Sequence, residues 1–600
     1  MSKNRSDFDS KKFSLWYSIK KFVPYFKPQW RHLLIGVVAL TITNFLMVMI
    51  PQLIKRAIDA LSISHNMPLA RSYALGIIGI AILYCLIRIA SRFFLFQPAR
   101  EVEFQLRNDL LSHLLKQSAT FYQRRTIGDL MSTATNDIRF VRALHGFGLM
   151  SIIDTVLIGG MAIAAMININ PKLTLISLIP FPFLILSLRH LVRTMFDQSF
   201  LVQDRLGEVT GRVQEQFSGM SVLQGYARES AEAKRFGTLN EHYYKSNIQL
   251  IKTRALMIPI FEIMSGVGIV IFLYFGTKAA LEGGLTLGGF VAFTAYLAML
   301  TGPAESIGWL INIVQRGTAS FARIDDLLQE EPEIKDRNPR PLSMGDFRGA
   351  IRISSLTYHH KKEKALLNGI SLEIPAGTSL GIIGPTGSGK SMFAHLLPRI
   401  YDPPRGSIFI DSFDLHEIPL ETLRQLIGFV PQEAFLFSRS IQKNIAYGLS
   451  TDFEEGAERK LVEKAAQEAG LQGEIAGFPE GYQTMVGERG LTVSGGQRAR
   501  TALARALIGD HPILILDDAL ANVDSETEHL ILNELKTVIE QRTTIIIAHR
   551  IATVSLCDHI IVIEGGRITQ QGTHESLLGQ PGYYSLTAKL QKLESELEQL

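Results

Sequence analysis

Six long apolar runs, all within about the first 320 residues, restrict this chain more than any other feature. They are approximately Leu33–Leu53, Tyr73–Phe96, Phe147–Ile169, Leu173–Val192, Ala255–Gly276 and Leu287–Val314. A helix crosses a bilayer with about 20 mostly apolar residues. Buried helices of a large soluble protein would not recur six times in one half with polar intervals between. Pro51, Pro180, Pro182 and Pro259 fall inside these runs, and membrane helices tolerate proline where neighbours satisfy the freed backbone. The expected first half is therefore an α-helical membrane domain of six transmembrane helices. A chain with 46% hydrophobic and 20% charged residues agrees with this and argues against disorder.

Lysine and arginine cluster in two places: Lys11, Lys12, Lys20, Lys21, Lys27 and Arg31 before the first run, and Arg100, Arg107, Lys116, Arg124, Arg125, Arg139 and Arg142 between the second and third. The positive-inside bias makes both cytoplasmic, and an even number of crossings returns the second half to the same side. The N-terminal tail contains Asp7 and Asp9 and no apolar stretch before Leu33, so it reads as neither a signal nor a transit peptide. The net charge, 61 − 57 = +4, is too small to suggest a nucleic-acid partner. Two distant cysteines, Cys85 and Cys557, exclude a disulfide framework and a cysteine zinc site.

Loop lengths alternate. Asn168-Ile169-Asn170-Pro171 and Glu282-Gly283-Gly284 are tight turns. The second-to-third and fourth-to-fifth intervals are polar, helix-favouring stretches of about 50–60 residues. As helical hairpins they would reach on the order of 35–40 Å beyond the membrane. Their tips are expected near Gly128-Asp129 and Tyr226-Ala227, where they would meet a cytoplasmic domain.

From Gln329 to Pro341 the chain becomes a charged, proline-rich linker. Beyond it, short apolar runs alternate with amphipathic helical patterns, the signature of an α/β domain. The expected organisation is a tail over 1–30, a membrane domain over 31–325, a linker over 326–350, an α/β P-loop ATPase domain over 351–586 and a helical tail over 587–600.

The apolar run Leu380–Ile383 leads into Gly384-Pro385-Thr386-Gly387-Ser388-Gly389-Lys390-Ser391 and then a helical pattern. This is G-x-x-x-x-G-K-S between strand and helix, the context that makes the motif credible. Its glycines let backbone N–H groups curl around phosphates at a helix N-terminus. Lys390 would reach the outer phosphates of ATP, and the Ser391 hydroxyl would ligate Mg2+. A second strand, Ile513–Leu516, delivers Asp517 and Asp518, one for the metal and one to orient the attacking water. A third, Thr544–Ala548, delivers His549, which on its own reads sooner as a satisfied strand-end histidine than as a functional one. Ser494-Gly495-Gly496-Gln497 opens a further helix and forms a second anion-binding nest, 517 − 494 = 23 residues before Asp517. Two phosphate-grasping elements in one domain suggest that one grips a nucleotide held by another copy of the domain.

With these motifs, the chain resembles a half-transporter of the ATP-binding cassette exporters over essentially its whole length. The Val-Ser-Gly-Gly-Gln stretch matches that family's signature, with Val493 where leucine is commoner. The resemblance implies that Tyr358 stacks on adenine, that Gln432 senses the γ-phosphate and joins the Mg2+ shell, and that His549 is the phosphate switch. It further implies a coupling role for Glu488, an inter-subunit role for Asp524, and a multi-pass bacterial inner membrane location.

One position departs from the family pattern. Hydrolysing members carry glutamate after the metal-binding aspartate, and here it is Asp518. The shorter side chain retracts the carboxylate by roughly 1–1.5 Å, and a misplacement of about 1 Å can cost about 100-fold. This resembles the slow subunit of heterodimeric multidrug-resistance-like exporters. A homodimer working slowly with aspartate is the alternative. Asp154, Glu262 and Glu305 lie in membrane runs, where ionisable residues default to functional hypotheses. They read either as an acidic path for hydrophobic or amphipathic cargo or as partners holding helices together. A homodimeric lipid flippase and a regulatory channel-like membrane ATPase are the competing functions.

Overall fold

A computed structural model of the chain describes residues 21, 23–337, 339–359, 365–449, 455–487, 493–520 and 525–598. They form two compact units. The first runs to Leu115 and resumes over Arg125–Glu331; the second takes Lys116–Arg124 and everything from Pro332 onward.

Among the described residues the regular structure of the first unit is all helix, and each of the six apolar runs falls on it. Among the described residues, Val23–Ser62, Met67–Leu114 and Ile127–Ile169 are long and apolar enough to cross a membrane. The other apolar helices are shorter, at Pro171–Phe183, Gly266–Leu281 and Leu287–Pro303. Two of the six expected runs are interrupted. The fourth breaks between helices Pro171–Ser177 and Pro180–Ser218, and the sixth between Leu287–Met299 and Thr301–Gln329. At these breaks Pro180 and Pro303 lack the N–H that would bond four residues back, to Ile176 and Met299, whereas Pro51, Pro98 and Pro259 lie inside unbroken helices.

The helix from Ile127 to Ile169 contains two wide π-helical turns, Thr133–Asp137 and Leu144–Gly148. Such turns mark places where a helix adapts to a neighbour. Here the neighbour is Thr301–Gln329. The buried Asp137 accepts from the Ser320 hydroxyl at 2.7 Å and from Arg323 Nε at 2.9 Å. A Cβ on Gly317 would stand 2.7 Å from Leu144 Cβ, so only glycine permits that approach.

The second unit holds two sheets. Strands β1 (Ile351–His359), β2 (Ala365–Ile374), β3 (Ser379–Ile383), β4 (Ile408–Ile410), β5 (Phe413–Asp414), β6 (Ile427–Val430), β7 (Ile513–Asp517), β8 (Thr543–Ile547), β9 (His559–Glu564) and β10 (Arg567–Gly572) follow in chain order. Four make an antiparallel sheet, β2-β1-β4-β5. Six make the sheet β10-β9-β3-β8-β7-β6, parallel throughout except for the edge strand β10. β3, β7 and β8 are buried at every residue, as expected of parallel strands covered on both faces. The boundary between the units falls after Glu331, inside the charged linker.

Helices Ile441–Ala446 and Gly495–Leu507 pack against each other beside this sheet. Arg505 fastens them: its Nε donates to Asn444 O at 2.8 Å, and its Nη1 to Phe435 O at 2.9 Å. Gly448 lies so close that a Cβ there would stand 1.9 Å from Arg505 O. Gly448→Val should therefore overpack this contact, at a cost of about 1–3 kcal/mol or more. A lowered thermal unfolding midpoint of the purified chain checks this; an unchanged midpoint refutes it.

Candidate functional site

Parallel registration brings the chemistry together. Ile382 and Asp517 both align with Ile547 across β8. The segments leaving β3, β7 and β8 therefore emerge side by side. They line one cleft with Thr386, Gly387, Ser388, Gly389, Lys390, Ser391, Gln432, Asp517, Asp518 and His549. Gly384 and Pro385 form the turn into it.

The loop needs its glycines. Gly387 and Gly389 have φ +79° and +103°, and a Cβ on Gly389 would stand 2.8 Å from the Leu367 side chain. Lys390 is buried, and its Nζ donates to Gly384 O at 2.8 Å and Pro385 O at 3.0 Å. Burial lowers its pKa, while Asp518 and Asp517 act in the opposite sense. Asp517 is almost fully buried, and burial raises its carboxyl pKa. Its Oδ1 accepts from the Ser391 hydroxyl at 3.2 Å. Its Oδ2 has no hydrogen-bond partner among the described residues. An anionic oxygen with unused lone pairs beside a hydroxyl is an oxygen donor set suited to a hard divalent cation, so the residues present fit Mg2+. Asp518 follows at φ +50°, a left-handed conformation that short polar side chains tolerate, and its N–H donates to Ile547 O at 2.8 Å.

Tyr358 is half-buried near the end of β1, opposite Leu367 on β2, next to the cleft-lining Leu366. Burial pushes its hydroxyl pKa upward. Ser494 caps helix Gly495–Leu507: its Oγ accepts from Gln497 N at 3.2 Å, and Gln497 Oε1 accepts from Ser494 N at 3.0 Å. This capping box leaves the N–H groups of Gly495 and Gly496 without an acceptor among the described residues. Ser494–Gln497 do not line the Lys390 cleft. Glu488 and Asp524 lie outside the described residues, as does the Glu305 side chain.

The coupling residues look different in the structure. Gly128 and Asp129 sit in helix Ile127–Ser132 of the membrane unit, with Thr126 capping through Asp129 N at 3.2 Å. The segment that joins the ATPase unit is earlier, Lys116–Arg124. Ser118 donates to Glu333 Oε2 at 3.0 Å, Thr120 makes a shorter bond to the same oxygen, and Arg124 donates to Glu333 Oε1 at 2.5 Å. Gln123 Nε2 donates to the Tyr401 hydroxyl at 2.7 Å. Tyr226 and Ala227 occupy a helix-to-helix turn, Tyr226 exposed and Ala227 at φ +48°. Sequence reasoning passed over Glu333 because a carboxylate in a charged linker looks like any solvated residue.

Asp154 is not a free acid. Arg88 donates to it at 2.7 and 3.2 Å and Asn44 Nδ2 at 2.9 Å, so its charge is cancelled inside the helical unit and it leaves the acidic set. Arg88 lies in the second apolar run; a count of cations as well as acids would have found the pair. Glu262 is exposed on helix Glu229–Leu281.

A helical membrane unit followed by an α/β unit with a P-loop, a strand-end aspartate pair and a second nest defines a membrane ATPase. Residues 33–304 match the ABC transporter transmembrane region and residues 367–521 the ABC transporter ATPase domain. The chain is 33% identical over 578 residues to the multidrug resistance-like ATP-binding protein MdlA of Escherichia coli, covering 96% of each. It is 33% identical over 570 residues to an ATP-dependent lipid A-core flippase of Methylococcus capsulatus, covering 94% of this chain and 93% of the other. A solved bacterial Atm1-family ABC exporter with ATP bound superposes with a TM-score of 0.77 at 27% identity, over 94% of this chain and 98% of that one. The chain belongs to the ABC transporter family, in its exporter branch. It is a multi-pass membrane protein that couples ATP hydrolysis to export and works as a dimer.

Lys390→Ala should abolish nucleotide binding at this chain's own cleft by removing the phosphate counter-charge. Labelling by a photoreactive ATP analogue reads it, and undiminished labelling contradicts the assignment.

Glu333 gives a pH test. Hydrogen bonds from Thr120 and Ser118, with the charge of Arg124, hold its carboxyl below the ordinary value of 4.5. A lowered folded value means that docking of the segment is fully present above the usual glutamate range and is lost as pH falls through the lowered value. Amide hydrogen exchange over 116–124 should rise in that acid window, and Glu333→Gln should raise it at neutral pH. Equal exchange in the variant and the parent chain at neutral pH would show that Glu333 does not hold the segment.

Proposed function

We propose that this chain is one half of a heterodimeric exporter of hydrophobic or amphipathic molecules and that its own ATP site is the slow one. The observation that carries this is Asp518, one methylene shorter than the glutamate of hydrolysing members, beside an otherwise complete cleft. Lys390 and the loop N–H groups hold the phosphates. Asp517 and the Ser391 hydroxyl, with Gln432, would hold Mg2+, which when bound would supply positive charge against the phosphates. Asp518 orients water from a retracted position, and His549 contacts the terminal phosphate. Ser494–Gln497, fully formed as a cap with two free glycine N–H groups, is offered to ATP on the partner subunit. The segment Lys116–Arg124 carries the ATPase state to the membrane helices. The N-terminal tail and the ATPase unit are cytoplasmic, in a bacterial inner membrane. The named relatives, a multidrug resistance-like protein and a lipid A-core flippase, support a lipophilic cargo, and the cancelled Asp154 charge favours neutral or amphipathic molecules over polyvalent cations.

The order of two substitutions tests this. The chain purified alone should hydrolyse ATP poorly and be strongly activated by a sister subunit carrying glutamate. Within the pair, Asp518→Ala should change turnover only modestly. Ser494→Arg should nearly abolish it, because the bulky side chain fills the nest that receives the partner's phosphate. In a homodimer both changes would be severe. Robust ATPase activity in a homogeneous preparation, abolished by Asp518→Ala, would sink the slow-site reading.

A further inference from the structure

His549 follows the end of β8 and lines the cleft with Lys390, Gln432 and Asp518. It is exposed, and its imidazole has no hydrogen-bond partner among the described residues. The reach of the ring is therefore set by its backbone, and that backbone is gripped by one distant side chain. Gln591 Nε2 donates to His549 O at 2.8 Å, and Gln591 Oε1 accepts from Ile551 N at 2.8 Å. Both ends of one primary amide are spent on the two residues flanking Arg550.

The grip is mounted on a fixed support. Gln591 lies on helix Tyr583–Glu598, which is anchored by the fully buried Tyr584. The Tyr584 hydroxyl pairs with His574 Nδ1 at 2.7 Å, and its N–H donates to Gln570 Oε1 at 3.2 Å. From the other side, the buried Glu528 on helix Ser525–Ile539 accepts from the Arg550 guanidinium and the Thr553 hydroxyl. Asp518 N–H holds Ile547 O at 2.8 Å. The stretch 547–553 is thus tied on three sides while the one ring aimed at chemistry is left free.

We propose that Gln591 is a positioning residue for His549, setting its imidazole against the terminal phosphate so that the cleft's preference for ATP over ADP depends on it. This rests on the reading of His549 as the γ-phosphate contact. An amide acting only as fold glue would affect both nucleotides, or stability, alike. One acting through His549 affects only the nucleotide that has a third phosphate.

The test uses the full chain in lipid nanodiscs, with affinities for a non-hydrolysable ATP analogue and for ADP measured by displacement of a fluorescent nucleotide. Binding makes the result independent of the hydrolysis rate at Asp518. His549→Ala and Gln591→Met should each weaken the triphosphate by roughly three- to tenfold, the scale of one or two hydrogen bonds. ADP affinity and the unfolding midpoint should stay unchanged. Gln591→Glu keeps an acceptor for Ile551 N but turns an oxygen toward His549 O, so it should weaken the triphosphate at least as much. The double variant should be no worse than His549→Ala alone, because the two act in series. If His549→Ala lowers the ATP-to-ADP preference and Gln591→Met does not, the positioning role is overturned. Equal loss of both nucleotides in Gln591→Met, with a lowered midpoint, also overturns it. If His549→Ala itself leaves the preference unchanged, the reading of His549 falls and takes this inference with it.

Discussion

Parallel pairing of β3, β8 and β7 is the constraint on which the rest depends. In a parallel sheet the carboxyl ends of neighbouring strands finish on one edge, and ligands bind in the crevice outside them. Ile382, Ile547 and Asp517 stand level, so the phosphate loop, the aspartate pair and the histidine segment reach one cleft without long connections. The interior of these strands is aliphatic and closed to water. That closure makes Asp517 and Lys390 chemically useful: desolvation works against both charges, raising one pKa and lowering the other. A cation or a phosphate that restores the lost solvation is bound correspondingly well.

The membrane half obeys the complementary rule. Charge in an apolar helix is retained when it is paired, and Arg88 with Asp154 is such a pair. Elsewhere in the helical unit, Glu103 accepts from Arg107 at 3.0 Å and from Arg142 at 2.9 Å, and Asp137 binds Ser320 and Arg323. These carboxylates join helices that the chain order separates.

Much of this was legible in the sequence, because the informative elements are local. The P-loop strand was expected over Leu380–Ile383 and runs over Ser379–Ile383; the aspartate strand over Ile513–Leu516 runs one residue further. Each apolar run became helix because length and composition alone decide that. What stayed hidden depends on residues far apart in sequence. Ser118, Thr120 and Arg124 meet Glu333 across some 210 positions, and no periodicity announces such a meeting. The first coupling element was therefore expected at Gly128-Asp129, whereas the segment joined to the ATPase unit ends at Arg124. Asp154 was left open between an acidic path and a partner holding helices together for the same reason, since the arginine that pairs with it lies 66 residues upstream. The breaks at Pro180 and Pro303 were not readable from proline alone, because Pro51, Pro98 and Pro259 remove the same donor inside unbroken helices.

The division of labour within the ATPase unit explains why this chain works as a dimer. Lys390, Asp517 and His549 share one cleft, and the Ser494 nest is not part of it. The nest is nevertheless finished: the capping box fixes its geometry, and, as at any helix start, first-turn N–H groups are left without an intrahelical acceptor. Helix N-termini with free N–H groups are anion sites, and within this chain the phosphates bound by Lys390 are held elsewhere. In the proposed dimer a second subunit would resolve the mismatch by closing its own cleft on this nest while presenting its nest in return. In the heterodimer proposed above the productive cleft is the partner's, so in that proposal a retracted carboxylate at Asp518 is tolerated as long as Ser494–Gln497 stays intact.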